Sequence, residues 1–82
     1  MEKLRRQIDQ LDAQILELLN KRAKCVLKIG AIKQKKQTQV FVLEREIEVL
    51  NRLNKLNRGP MTEQMVLSIF QGIIDTLKDL QK

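Results

Sequence analysis

Apolar residues recur at Leu4, Ile8, Leu11, Ile15 and Leu18, and again at Cys25, Ile29 and Ile32, in steps that alternate between four and three. That spacing marks one face of an α-helix. A helix running from about Leu4 to Lys36 would be about 50 Å long at roughly 1.5 Å per residue. Globular helices are typically far shorter. A chain of 82 residues cannot cover such a seam by itself, so the helix has to overhang and a partner chain is its natural cover. A chain this short is one domain at most and buries little core alone, for which oligomerisation is a common remedy.

The rest of the chain reads as two shorter helices. The stretch QTQVF (residues 37–41) breaks the pattern and predicts a connection. A second helix is expected over residues 42–57. The segment NRGPMT (residues 57–62) is the clearest boundary, because Gly59 suits a position just past a helix end and Pro60 resists continuing it. Thr62 can cap a third helix over residues 63–81. No segment sustains strand alternation. The expected fold class is all-α, with three helices of which the first is long.

Several polar residues fall where these stripes call for apolar ones. Arg22 follows Leu18 by four on the first seam, and Lys33 ends a parallel stripe through Leu16, Leu19, Ala23, Val26 and Gly30. Projected back toward the N-terminus, that stripe passes Asp12 and Asp9 and reaches Arg5. Glu46 interrupts Val42, Val49, Leu53 and Leu56, and Gln81 closes Leu67, Phe70, Ile74 and Leu77. A charge on a buried face is costly unless it is paired or hydrogen-bonded. Two readings follow. The residues form a structural ion pair such as Arg22–Glu46, with other long side chains reaching solvent. Alternatively they line a pocket whose anionic ligand completes the charge balance, since Glu46 cannot neutralise Arg22, Lys33 and Arg45 together.

Charge favours an anionic partner. The formal net charge is +6, and the stretch KRAKCVLKIGAIKQKK (residues 21–36) carries seven basic residues with no acid between Glu17 and Glu44. Lys21, Lys24, Lys28, Lys35 and Lys36 lie mostly off the seams and read as a solvated face. Phe41 and Phe70 are the only aromatic residues, too few for the stacking platforms of single-stranded nucleic-acid binders. No nucleic-acid motif is evident, so neither a nucleic acid nor a membrane is expected as partner; no apolar run approaches the ~20 residues a membrane span needs. Histidine is absent and Cys25 is the single cysteine. That excludes histidine-based acid–base chemistry, a Cys–His dyad and a Cys/His zinc site. Cys25, on the main seam, reads as a small packed apolar residue. The opening MEKLRRQIDQ is no signal peptide, and a reduced, cytoplasmic setting is the expectation.

The runs LRRQIDQLDAQILELLNKRAKCVLKIGAIK (residues 4–33), LEREIEVL (43–50) and IFQGIIDTLKDLQ (69–81) together resemble the all-α chorismate mutases of the shikimate pathway, over nearly the whole chain. The opening L-R-x-x-I-D-x-L-D, the later arginine, the I-G-x-x-K run and the R-E pair stand in the family's order and spacing. The resemblance implies an intertwined helical homodimer with two equivalent sites. Each would take Arg22, Lys33, Arg45, Glu46 and Gln81 from one chain and Arg5 from the other. Arg22 and Arg5 would hold the two carboxylates of chorismate, and Lys33 would contact a carboxylate and the ether oxygen. Gln81 would donate to that oxygen too, Glu46 would accept from the ring hydroxyl, and Arg45 would support the polar wall. The rearrangement to prephenate needs no metal or cofactor. Val42 stands where the family commonly has an aspartate, and Leu77 where a small polar residue is sometimes found, so the pocket would be more apolar. The resemblance also admits an isochorismate-pyruvate lyase, or a domain that senses prephenate or chorismate, fused to or partnered with another shikimate-pathway enzyme. A helical nucleic-acid or coiled-coil module is the reading outside the family.

Overall fold

The computed structural model describes the backbone of residues 1–36 and 43–81, and the side chains of residues 1–32 and 43–81. Three helices follow one another: α1 (Glu2–Lys36), α2 (Leu43–Leu56) and α3 (Glu63–Lys78), closed by a 3₁₀ turn over Asp79–Gln81. The expected boundaries hold to within a few residues. The one change of kind is at the end, where the last turn of the third helix tightens to 3₁₀, a common way for a helix terminus to satisfy its final carbonyls. The connection expected over 37–41, together with Val42, lies outside the described residues.

The turn between α2 and α3 is held by its own side chains. The Asn57 Oδ1 accepts from the Gly59 N–H at 3.0 Å, and the Asn57 side-chain amide donates to the Met61 carbonyl at 2.8 Å. Gly59 has φ of +76°, a conformation that costs other residues a steric penalty. Thr62 caps α3 as its sequence position suggests, its hydroxyl accepting from the Met65 N–H at 3.2 Å. The turn folds α3 back antiparallel on α2, so that the start of α2 meets the end of α3. Between them lie the buried apolar side chains of the described residues, Val49, Val66 and Ile74.

The first helix relates to this hairpin as a beam to a bracket. The molecule measures 52 × 23 × 16 Å, and its long dimension is that of α1, since 35 helical residues span about 52 Å. Among the described residues α1 touches α3 and the closing turn but not α2. The contact falls on its second half, where Leu19, Ala23 and Val26 are half-buried and Gly30 is buried. Residues 1–18 are all exposed. So is the main seam, from Leu4 at 59% and Leu18 at 62% to Ile32 at 54%. The overhang inferred from helix length is therefore present. Cys25 departs from expectation, because it is exposed rather than packed: its seam faces away from the chain's own α2 and α3. No helix among the described residues is long and apolar enough to cross a membrane.

Candidate active site

Of the polar residues singled out on the stripes, Glu46 and Gln81 lie at one end of the hairpin, and Lys33 follows by one turn the Gly30 that Gln81 packs on. Arg22 and Lys33 are 11 residues apart on α1. Three helical turns take close to 11 residues, so the two positions share a face about 16 Å apart. Arg22 is half-buried there. Lys33 lies on the helical backbone of α1, and its side chain is outside the described residues.

The closing turn brings Gln81 against this face. Gly30 is the position that admits it: a Cβ built on Gly30 would stand 3.0 Å from the Gln81 Cα and 3.3 Å from its Cβ. Only a residue without a side chain lets the turn approach so closely. Gln81 is thus held half-buried at the level of Gly30, one helical turn from Lys33.

Glu46 reaches the same end from the first turn of α2. Its side chain is 13% exposed, and its Oε2 lies 2.8 Å from the Lys78 Nζ on α3. The Gln71 side-chain amide donates to Glu46 Oε1 at 3.4 Å and to Asp75 Oδ1 at 3.0 Å. Lys78 also pairs with Asp75 at 3.5 Å. Four side chains therefore close a ring, Glu46–Lys78–Asp75–Gln71. The hydrogen bond to Glu46 holds the Lys78 ammonium above the usual lysine range, and the charges of Glu46 and Asp75 add to this against the opposing pull of desolvation. Lys78 is a firm cation at neutral pH.

This arrangement decides between ion-pair partners. Glu46 is paired with Lys78, not Arg22; among the described residues Arg22 makes no ion pair. The sequence stripes passed over Lys78 because they stepped from Ile74 to Leu77 and then to Gln81. Stepping from Ile74 by four reaches Lys78, and Gln71, Asp75 and Lys78 stand at i, i+4 and i+7, one face of a helix.

Two expected site residues stand apart. Arg45 is exposed and paired with Glu48 one turn on. Arg5 lies on the overhanging end of α1, exposed and 3.6 Å from Glu2. Within one chain Arg5 cannot reach the others: it is 28 residues from Lys33 on one helix, about 42 Å along its axis. No three His, Cys, Asp or Glu side chains gather where they could hold a metal ion among the described residues.

These residues offer a half-buried cation, Arg22, on the face of α1 that also carries Lys33, an amide at Gln81 and an anchored carboxylate at Glu46. They present no nucleophile paired with a base. Such a set can grip a small anion and donate hydrogen bonds.

Comparison with known proteins identifies the family. A family profile described as "Chorismate mutase type II" matches residues 4–82. A bifunctional chorismate mutase/prephenate dehydratase from Aquifex aeolicus is 36% identical over 86 aligned positions, covering 100% of this chain and 24% of that protein. One from Neisseria gonorrhoeae is 40% identical over 70 positions, covering 85% of this chain and 19% of that protein. The chain thus spans about a quarter or less of the curated relatives it matches. The solved chorismate mutase (form II) of Thermus thermophilus superposes with a TM-score of 0.96 at 29% identity, covering 98% of this chain and 91% of that one.

Proposed function

The chain belongs to the chorismate mutase type II family, and from that premise we propose that its site rearranges chorismate to prephenate. The observation that carries the reading is the seating of Gln81 against Gly30, one turn from Lys33. It brings Gln81 to the stretch of α1 whose backbone carries Lys33, which supports reading these two residues as the donors to a breaking C–O bond.

The chemistry suits the residues. In the rearrangement one C–O bond breaks as one C–C bond forms within a single molecule, so no nucleophile, proton shuttle, metal or cofactor takes part. The protein has to hold the reactive diaxial conformer and stabilise charge growing on the ether oxygen. Arg22, with Arg5 from a second copy, holds the two carboxylates in bidentate fashion and fixes the conformer. Lys33 and Gln81 donate to the ether oxygen, where their hydrogen bonds strengthen as the bond breaks. Glu46, its oxygens already held from α3, accepts from the ring hydroxyl with the lone pairs that remain. Arg45 must leave Glu48 to support the wall, and an exposed pair of that kind is worth little.

The same reading places the chain as one domain working in the cytoplasm as a homodimer. The exposed seam of α1 is the surface a second copy covers, and an antiparallel α1 brings Arg5 opposite residues 22–33. The bifunctional relatives support a link, by fusion or complex, to another shikimate-pathway enzyme.

The test is loss of chorismate absorbance on adding protein, with the products then separated. Prephenate at enzymatic rates is expected, and Lys33→Ala should lose a further factor of about 10²–10³, as removing one donor to a developing oxyanion does, with helicity intact. Salicylate and pyruvate from isochorismate would favour the lyase. Binding of chorismate or prephenate without turnover would favour a sensing domain. Near-normal turnover by Lys33→Ala would overturn the mechanism.

A further inference from the structure

Lys78 is the cation in this cluster that the proposed mechanism does not use. It sits on α3, three residues before Gln81, with its side chain 33% exposed. It has a partner on its own helix in Asp75, at 3.5 Å, yet its shorter contact, 2.8 Å, crosses to Glu46 on α2. Glu46 in turn is engaged at both oxygens, Oε2 by Lys78 and Oε1 by Gln71. A carboxylate held from two sides by one neighbouring helix has lost its rotational freedom.

We propose that Lys78 is a positioning residue of this site: from α3 it fixes the Glu46 carboxylate and cancels that carboxylate's repulsion of a dianionic substrate.

Two physical arguments support this. Glu46 is the one anion among the proposed substrate-facing residues, and a carboxylate beside a pocket for two carboxylates opposes binding unless a cation compensates it. Lys78 supplies that compensation from α3, leaving Arg22 and Lys33 to the substrate. The ring through Gln71 and Asp75 also sets where the free lone pairs of Glu46 point, as outer partners commonly orient a group that touches substrate. A mere staple between α2 and α3 would need neither feature.

The inference rests on the chorismate mutase reading, and the experiment separates the two. Kinetics and the affinity for prephenate, by calorimetry, are compared for the wild type, Lys78→Met, Lys78→Arg, Glu46→Gln and the Glu46→Gln/Lys78→Met double variant, all well below their melting temperatures. Lys78→Met should lower kcat/KM about tenfold, within the range of coupling between contacting residues. Most of the loss should appear in KM and in prephenate affinity, because an uncompensated carboxylate repels ground and transition states alike. Lys78→Arg should recover most of it. In the Glu46→Gln background Lys78→Met should weaken prephenate no further, since no carboxylate remains to compensate. Wild-type KM and affinity in Lys78→Met, whatever its melting temperature, would overturn the inference. So would an equal loss in the Glu46→Gln background. If Lys78→Met does not fold, Lys78→Gln makes the same comparison. A wild type that neither converts chorismate nor binds prephenate would sink the proposed function itself, whereas an active wild type indifferent to Lys78 sinks this inference alone.

Discussion

Gly30 on α1 and Gln81 in the closing turn come together so tightly that a Cβ on Gly30 would lie 3.0 Å from the Gln81 Cα, a backbone atom. Position 30 therefore governs where Gln81 sits. Gly30→Ala sets two effects against each other. Alanine favours the helix by about 1 kcal/mol over glycine, but its methyl pushes the closing turn outward by a few tenths of an ångström. Because that turn is three residues long, it gives way at little cost to stability. Circular dichroism should show helicity unchanged or raised. Turnover should fall about tenfold, because displacements well under an ångström already weaken catalysis by aligned groups. Unchanged kcat would mean that Gln81 does not act from this position.

The proposed sharing of each site between two chains has a quantitative consequence. Arg5→Ala and Lys33→Ala should each be nearly inactive alone. Unfolded together and refolded as an equal mixture, half of the dimers are mixed, and each mixed dimer has one intact site. By two-fold symmetry the mixture should recover about a quarter of wild-type activity. No recovery would show that each site takes its residues from a single chain.

The raised ammonium of Lys78 makes a prediction at alkaline pH. Its folded value lies above the ordinary lysine value, chiefly through the hydrogen bond to Glu46. The pair's contribution to stability is therefore fully present below the unfolded value of about 10.4. It is lost as pH rises through the folded value. The urea midpoint should hold from neutral pH to about pH 10 and then decline, and the decline should be shallower in Lys78→Met. Parallel curves for the two proteins would mean the pair contributes nothing in solution.

Helix positions were legible because period and punctuation agree. The seam from Leu4 to Ile32 fixes α1, and Gly59, Pro60 and Thr62 mark a turn whose hydrogen bonds the structure shows. The length of α1 alone foretold its overhang. Arg22, Glu46 and Gln81 were visible as polar breaks in apolar stripes, and all three prove half-buried. What the stripes could not show was pairing. Glu46 meets Lys78 across 32 residues of sequence, and whether the register runs through Leu77 or Lys78 is settled only when α2 packs on α3. Cys25 was misplaced for a related reason: a periodic pattern marks a face that is to be covered, but not by what.

Among the described residues the buried apolar side chains, Val49, Val66 and Ile74, all belong to the α2–α3 hairpin, and the main α1 seam is uncovered by its own chain. Selection consequently acts on the two parts by different routes. A change in the hairpin core is corrected or tolerated within the molecule that carries it. In the proposed homodimer a change between Leu4 and Leu18 is judged by the second copy's surface, so its compensating substitutions should arise at positions far from it in the same chain. In descendants of this sequence the hairpin would then be free to drift as a unit, while the first half of α1 would change only in step with the second copy it is proposed to rest against.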